Sequence, residues 1–236
     1  MRELIETGLA QMGLAQQIPP AAPAQLERFG RLLLEKNQVM NLTAITDPKD
    51  VATLHMLDCA ALLSCGDFRG KTLIDVGTGA GFPGVPLKIL EPTLTVTLLD
   101  ALGKRVDWLN ETCHALGLEG IAAVHGRAEE AGREARLRER FDFASARAVA
   151  ELRVLCELCL PFVRPGGFFL AMKGTDCQQE LDRALPVIQA LGGAVEGWRD
   201  CPIPHTGVTH RVILVKKTAP TPFQYPRRWA KIQKDS

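Results

Sequence analysis

The chain has 236 residues, of which 46% are hydrophobic and 23% charged, and its formal net charge is +1. This composition excludes a chain that is disordered throughout, and the small net charge excludes a general polycation. Any binding of nucleic acid must therefore come from a local basic patch. No apolar run approaches the ~20 residues that a membrane span needs, and the N-terminus resembles an amphipathic helix more than a signal peptide. We expect a cytoplasmic protein with no membrane partner.

The seven cysteines are odd in number and scattered along the chain, which fits a disulfide framework poorly. Cys156 and Cys159 form a C-x-x-C pair, but the pair lies inside the apolar run "LRVLCELCLPF". No second pair is present to complete a zinc site. We expect buried, reduced thiols and no metal.

Residues 1–70 are predicted to form a helical extension. One helix has apolar residues near helical spacing at Leu26, Phe29, Leu33 and Val39. A later helix is predicted to begin with Asp47 as its N-cap and Pro48 in its first turn. His55 and Asp58 follow at helical spacing, and we expect them to form a structural pair.

Residues 71–217 alternate between short apolar strands and helices. Five strands are predicted in "TLIDV", "TVTLLD", "IAAVHG", "FDFASAR" and "GGFFLAMKG", with helices over residues 83–90, 103–116, 127–138, 149–160 and 176–191. Strands joined by helical crossovers indicate an α/β fold with a parallel sheet covered on both faces. Two later strands, "AVEGWRD" and "HRVILVKK", are predicted to add an antiparallel hairpin at the sheet edge.

A glycine-rich turn follows the first strand in "LIDVGTGAGFPGVPLKI". The glycines are Gly77, Gly79 and Gly81. A dinucleotide fingerprint has its third glycine at the sixth position, where this chain has the bulky Phe82. Pro83 then removes one N–H group that would bind a pyrophosphate, and the phosphate-loop ending GK[ST] is absent.

Asp100 ends the second strand, 19 residues after Gly81. An acidic residue at this position accepts hydrogen bonds from ribose hydroxyls, in enzymes that use either NAD or S-adenosylmethionine. S-adenosylmethionine carries no phosphate, so the loop favours it as the cofactor. A nicotinamide-dependent oxidoreductase and a glycine turn without a ligand remain as alternatives.

In combination, "GTGAGFPG", "LLDALGKR", "GRAEE" and "ARAVA" closely resemble the RsmG (GidB) family of ribosomal RNA small subunit methyltransferases, over nearly the whole chain. The resemblance implies a class I methyltransferase with a Rossmann-like sheet, which uses S-adenosylmethionine to methylate N7 of guanine 527 in 16S ribosomal RNA. By the family pattern, Gly77 and Phe82 line the methyl-donor pocket, Ala128 and Glu129 lie beside the adenine, and Arg147 is a further pocket residue. Members often carry Ser where this chain has Ala101, which leaves the neighbouring carboxylate untouched.

Guanine N7 has a free lone pair and no proton, so its methylation needs no general base. We therefore name no catalytic residue and expect positioning to supply most of the rate. The expected partner is 16S ribosomal RNA or the small ribosomal subunit, bound by a monomer. The RNA-binding candidates are Lys104, Arg105, Lys173, Arg227 and Arg228. A ribosome-assembly factor that has lost methyl transfer is the remaining alternative.

Residues 218–236 show no helical or strand period and are predicted to form a basic tail on the surface. Its basic residues alternate with Phe223, Tyr225 and Trp229, which is typical of segments that bind single-stranded RNA. We expect deletion of residues 225–236 to weaken RNA binding and to leave methyl-donor binding unchanged.

Overall fold

A computed structural model describes residues 1–147 and 150–234 of the chain, and a seven-stranded sheet lies at its centre. The strands are β1 (Thr72–Val76), β2 (Thr95–Asp100), β3 (Ile121–His125), β4 (Phe141–Arg147), β5 (Val163–Gly174), β6 (Gly193–Pro202) and β7 (Thr209–Lys217). Their order is β3-β2-β1-β4-β5-β7-β6, with β1 to β5 parallel and β7 antiparallel to both neighbours. The predicted parallel sheet and antiparallel edge hairpin are confirmed.

The helices precede, separate and follow these strands. They are α1 (Arg2–Gln11), α2 (Ala22–Asn37), α3 (Pro48–Asp50), α4 (Asp58–Ala60), α5 (Gly84–Leu90), α6 (Gly103–Ala115), α7 (Ala128–Ala131), α8 (Leu152–Cys159), α9 (Gln178–Ala190) and α10 (Trp229–Lys234). A π-helical segment, Val51–Leu57, joins α3 to α4, and 3₁₀ turns cover Ala61–Cys65 and Leu160–Phe162. The predicted N-cap is confirmed, since Asp47 Oδ1 accepts a hydrogen bond from Lys49 N at 2.7 Å.

Two hydrophobic clusters cover the two faces of the sheet. On one face the N-terminal helices contribute Ile5 and Phe29, which join Leu98 of β2 in a single cluster. On the other face, apolar residues of α8 and α9 belong to a second cluster together with Leu99, the next residue of β2. Because side chains alternate along a strand, adjacent leucines serve opposite faces. The helical extension therefore shares a core with the sheet.

Three predictions about local structure need correction. The helix predicted over residues 127–138 is only Ala128–Ala131, followed by turns. In the turns that replace it, the guanidinium of Arg138 donates to the carbonyl oxygens of Gly132 and Tyr225 at 3.0 and 2.8 Å, which ties this segment to the tail. Val39 is 82% exposed and lies after the end of α2, so it is not part of the apolar face.

The tail is the third correction, because it is not an irregular surface segment. It contains α10, and Thr221 and Ile232 are buried. One prediction lies outside the described residues: the start of the helix at Val149, together with the end of "ARAVA". Ala150 and Glu151 are described and are not helical, so the helix begins at Leu152, later than predicted. Within the described ranges, none of the helices has the length and apolar character of a membrane-spanning helix.

Candidate functional site

The strand order places a crevice at one edge of the sheet. From β1 the chain builds outward to β2 and β3 on one side, and to β4 and β5 on the other. In such sheets a ligand binds beyond the carboxyl ends of the strands, at the point where the order reverses. Here β1 ends at Val76, directly before Gly77, and β4 ends at Arg147. The predicted glycine loop and the predicted arginine therefore flank this point of reversal, which we call the switch point.

The glycine loop needs glycine for its backbone conformation. Gly77, Gly79 and Gly81 have φ angles of 68°, 59° and 92°, in the left-handed region that other residues rarely adopt. The loop is tied to β2, since the N–H groups of Gly77 and Thr78 both donate to Leu99 O, at 2.9 and 3.0 Å. The turn is thus fixed in shape without any ligand.

A glycine that the fingerprint comparison missed brings α5 close to the sheet. A Cβ atom added to Gly84 would lie 2.3 Å from Leu98 Cδ2, so any other residue here would displace the buried Leu98 side chain. Gly81 also serves packing, because its added Cβ would lie 2.9 Å from Leu109 Cδ2. Gly84 therefore has the role of a fingerprint's third glycine, two positions after Phe82.

The start of α5 offers no N–H group to a pyrophosphate. Pro83 and Pro86 have none. Gly84 N donates to Asp75 Oδ2 at 3.0 Å, and Val85 N donates to a loop carbonyl oxygen at 2.8 Å. Dinucleotide sites depend on free donors at this helix terminus. The geometry therefore disfavours the alternative of a nicotinamide-dependent oxidoreductase.

Asp75, on β1, links the glycine loop, β4 and the start of α5. Its buried carboxylate accepts hydrogen bonds from Thr78 Oγ1 at 2.6 Å, Ser145 Oγ at 3.0 Å and Gly84 N at 3.0 Å. Burial raises the pKa of Asp75 to about 6, and the hydrogen bonds oppose that rise. Its partners lie within the fold, so we assign it a structural role.

Asp100 is buried in a different way. Its Oδ2 accepts from Gly79 N and its Oδ1 from Leu102 N, each at 2.9 Å. A charged partner, Arg105, is more distant, with Nη1 3.9 Å from Oδ2. An ionised carboxylate has about four lone-pair sites, so two remain for the hydroxyls of a ligand.

Four of the predicted donor-binding residues line one cavity of about 160 Å³: Gly77, Asp100, Ala128 and Glu129. Apolar side chains of α8 and the indole of Trp229 complete its walls. Sites for whole small-molecule ligands usually enclose roughly 300–1,000 Å³. The enclosed space is therefore suited to one part of a ligand, such as a purine ring.

Phe82 and Arg147 lie outside this cavity, on the β4 side of the switch point. Phe82 is buried, stacked on His55 with ring centroids 4.4 Å apart and packed on Phe29 at 5.3 Å. The guanidinium carbon of Arg147 lies 4.8 Å from the centroid of the Phe82 ring. Gly79 and Gly81 shape the loop without lining the cavity.

Arg147 joins a group of polar residues that we call the Asp58 cluster: His55, Asp58, Arg147 and His210. The buried Asp58 carboxylate pairs with His210 Nδ1 at 2.7 Å and with Arg147 Nη1 at 3.3 Å. Arg147 Nη2 lies 2.9 Å from His55 Nδ1. His55 and Asp58 are thus linked through Arg147 and not by the direct pair that we expected.

The two histidines of the Asp58 cluster have opposite electrostatics. Burial, and then the charge of Arg147, lower the pKa of His55 to about 3, so its imidazole is neutral. The hydrogen bond to Asp58 raises the pKa of His210. His210 lies 152 residues from Asp58, and no local sequence pattern connects them.

The RNA-binding candidates differ in whether their charges face solvent. Lys104 and Arg228 are exposed. Arg105 lies near Asp100 and donates to Asn41 O at 3.4 Å. Of this group, Lys104 and Arg228 are therefore the most accessible to an RNA backbone.

Lys173 and Arg227 are engaged inside the protein. Lys173 Nζ pairs with Glu180 Oε2 at 2.6 Å, and its side chain is largely buried. Arg227 Nη2 pairs at 2.7 Å with Oε2 of the buried Glu157. These partners favour structural roles for both residues over the RNA contacts for which the sequence made them candidates.

Trp229 also corrects our view of the tail. Its position on the cavity wall removes the basis for expecting that deletion of residues 225–236 leaves donor binding unchanged. The sequence offered an aromatic residue in a basic segment, and that pattern does not distinguish a contact with RNA from one with a small ligand.

The cysteines are all free thiols. Burial raises the pKa of Cys156 and Cys159, which keeps both protonated and unreactive. Within residues 1–147 and 150–234, no group of three His, Cys, Asp or Glu side chains is arranged to hold a metal ion.

Comparison with known proteins is consistent with this geometry. The family described as rRNA small subunit methyltransferase G matches residues 22–202. Ribosomal RNA small subunit methyltransferase G of Symbiobacterium thermophilum is 46% identical over 233 residues, which cover 96% of this chain and 94% of that protein. The protein of the same name from Alkaliphilus metalliredigens is 43% identical over 226 residues, covering 95% and 94%.

Solved structures support the fold. A mutant of the protein MtNAS has a TM-score of 0.56 and 15% identity, covering 92% of this chain and 76% of that one. A predicted O-methyltransferase, Atu636 from Agrobacterium tumefaciens, has a TM-score of 0.53 and 16% identity, covering 71% and 83%. At these identities the likeness concerns the fold alone. The sequence relatives decide the family, and the chain belongs to the rRNA small subunit methyltransferase G family.

Proposed function

We propose that this methyltransferase transfers the methyl group of S-adenosylmethionine to N7 of guanine 527 in 16S ribosomal RNA. The observation that carries the proposal is the preformed cavity, in which Asp100 keeps free acceptor sites beside Ala128 and Glu129. The names of the sequence relatives supply the substrate class, the RNA of the small subunit.

The residues present fit the adenosine part of the donor. The Asp100 carboxylate is held by two backbone N–H groups and is available to accept hydrogen bonds from ribose hydroxyls. The neighbouring wall at Ala128 and Glu129 is suited to the adenine. Gly77 is exposed at the end of β1 and leaves room for the rest of the donor. The bound donor supplies an electrophilic methyl group on a positively charged sulfur.

The chemistry needs positioning more than proton transfer. The lone pair of guanine N7 forms a bond to the methyl carbon as the bond from carbon to sulfur breaks. The electron pair of that bond goes to sulfur, and the positive charge moves to the purine ring. No proton is removed, which agrees with two observations: Asp75 is fully engaged within the fold, and His55 is hydrogen-bonded to Arg147 and Thr43. Alignment at roughly 3–3.5 Å is the main requirement.

The RNA is proposed to bind at the same edge of the sheet, near the exposed Lys104 and Arg228. Electrostatic contacts of this kind position an RNA backbone, while its unstacked bases are read by shape and hydrogen bonding. We also propose a division into a helical extension (1–70), a methyltransferase domain (71–217) and a basic tail (218–236), of which the tail serves the donor cavity as well.

A methyl-transfer assay tests the proposal. Labelled S-adenosylmethionine is incubated with the purified protein and with small subunits from cells that lack this activity, and the RNA is digested for mass spectrometry. We expect 7-methylguanosine at a single site, and loss of transfer with Asp100→Ala. Methylation of another atom would contradict the proposed substrate. Donor binding without transfer would favour the alternative of a non-catalytic assembly factor.

A further inference from the structure

The indole of Trp229 forms one wall of the donor cavity. Trp229 begins α10, and its partly buried side chain faces the same space as Asp100, Ala128 and Glu129. Asp100 ends β2, and Ala128 and Glu129 come soon after β3, whereas Trp229 comes from the tail, about 100 residues later. The cavity is therefore closed by a part of the chain that the methyltransferase motifs do not include.

The tail holds Trp229 in place from both sides. Before it, Arg227 pairs with the buried carboxylate of Glu157, with 2.7 Å between Nη2 and Oε2. After it, Ile232 is fully buried, and its carbonyl oxygen accepts a hydrogen bond from Arg153 Nη2 at 3.1 Å. Since both anchors lie on α8, the indole is positioned before any ligand arrives. Such preorganisation lowers the entropic cost of binding.

Arg127 connects the indole to Glu129, another residue that lines the cavity. Its Nε donates to Glu129 Oε1 at 2.6 Å, and its guanidinium carbon lies 5.8 Å from the centroid of the Trp229 ring. A guanidinium over an indole face is a favourable contact. Arg127 thus links the indole to the acidic residue that is expected beside the adenine.

We propose that Trp229 packs against the purine ring of the methyl donor and sets the affinity of the protein for adenosine-containing ligands. The inference rests on the proposed function, because the ligand is its donor. An aromatic side chain on a largely apolar cavity of about 160 Å³ is suited to a purine, which is flat and has a π-face available for stacking.

Calorimetric titration tests the inference with three ligands: S-adenosylmethionine, S-adenosylhomocysteine and adenosine. We expect Trp229→Ala to weaken all three by a similar factor of about 5- to 150-fold, the range of base–aromatic stacking. Trp229→Phe keeps an aromatic ring, so its loss is smaller. The matched control is Trp198→Ala, because Trp198 also lies under an arginine, with Arg211 5.0 Å from its ring centroid, but stands on β6 at the edge of the sheet.

Tryptophan fluorescence provides a second measurement of ligand binding, which does not depend on the stability of the variants. The chain has three tryptophans, and a purine beside an indole alters its emission. We expect S-adenosylhomocysteine to change the emission of the wild type and of Trp198→Phe, and to leave Trp229→Phe without that change. Circular dichroism establishes that each variant is folded.

The outcomes separate the two claims. If the wild type binds none of the three ligands, the proposed function fails and this inference fails with it. If the wild type binds them and Trp229→Ala binds them equally well, only the role of Trp229 is overturned. Weaker binding of the two sulfur-containing ligands with unchanged binding of adenosine would also overturn it, because Trp229 would then act on the amino-acid part.

Discussion

Two buried aspartates near the switch point illustrate how the same residue type serves different ends. Asp100 and Asp58 are 5% and 1% exposed. Asp100 is held by backbone N–H groups and borders an open cavity, whereas Asp58 is neutralised by the side chains of Arg147 and His210. Backbone donors fix the direction of a carboxylate and leave part of its hydrogen-bonding capacity free for a ligand. Cationic side chains compensate the charge of the carboxylate, which then links parts of the fold and is not available to a ligand.

The largest effect is expected from Asp100→Ala. Loss of charge-assisted hydrogen bonds to two ribose hydroxyls is expected to weaken binding of S-adenosylhomocysteine by about 3 kcal/mol, or roughly 150-fold. Calorimetric titration measures this. The control is Asp107→Ala on the exposed face of α6, for which we expect wild-type affinity. Equal loss in both variants would remove the distinction between Asp100 and other acidic residues.

Arg227 and Arg228 extend the comparison to two adjacent cations. Arg227→Ala leaves the Glu157 carboxylate, which is 1% exposed, without this partner, and we expect the free energy of unfolding to fall by about 2 kcal/mol. Arg228 is exposed, so Arg228→Ala is expected to change stability by less than about 0.5 kcal/mol. Urea denaturation measures both.

Binding of the same two variants to RNA completes this test. Arg228→Ala is expected to reduce the dependence of RNA affinity on salt concentration by about one charge. If Arg227→Ala were as stable as the wild type and lost the same salt dependence, Arg227 would be an RNA contact, as its sequence context suggested.

A smaller effect is expected from Arg147→Lys in the Asp58 cluster. Arg147 reaches Asp58, His55 and Leu54 O simultaneously, and a lysine ammonium lacks the planar fork that makes this geometry. We expect the free energy of unfolding to fall by about 1 kcal/mol. Arg2→Lys is the control, since Arg2 pairs with Glu6 on an exposed helix face. A wild-type unfolding curve for Arg147→Lys would show that the cluster adds nothing to stability.

The smallest effect concerns His210 and depends on pH. Its pKa is raised above the ordinary 6.5 by the hydrogen bond to Asp58, so its charged form is favoured in the folded state. The stabilising contribution is fully present below pH 6.5 and is lost as pH rises through the raised pKa. Because His210 is about one-third exposed, we expect His210→Gln to cost only about 0.5 kcal/mol at about pH 6 and almost nothing at about pH 9.

Urea denaturation at the two pH values measures the difference for His210→Gln, with the exposed His114→Gln as control. A cost that grew with pH would contradict this account, because it would mean that the folded protein favours the neutral form of His210.

The sequence predicted that Gly77 and Asp100 lie close together, because the signals for both are local. Gly77 directly follows a strand and Asp100 ends the next one, so the parallel sheet brings them together once the strands are recognised. Gly84 was missed because the fingerprint looks for the close-packing glycine at a fixed spacing. In this chain, the same close packing comes from Gly84, which lies two positions later and directly after Pro83.

The other features depend on contacts between distant parts of the chain. The link from Asp58 to His210 joins the helical extension to β7. No local pattern in the sequence predicts this contact. The path of the tail depends on Arg133 and Arg138, whose guanidinium groups bind its carbonyl oxygens. In the sequence these arginines appear as ordinary charges of a helix, which is why that helix was predicted too long.

A crystal structure of the protein with S-adenosylhomocysteine tests the central claim most directly. We predict the ribose hydroxyls within hydrogen-bonding distance of the Asp100 carboxylate, and the adenine between Ala128, Glu129 and Trp229. A ligand bound instead along the Asp58 cluster, with the cavity beside Asp100 still open, would contradict the account.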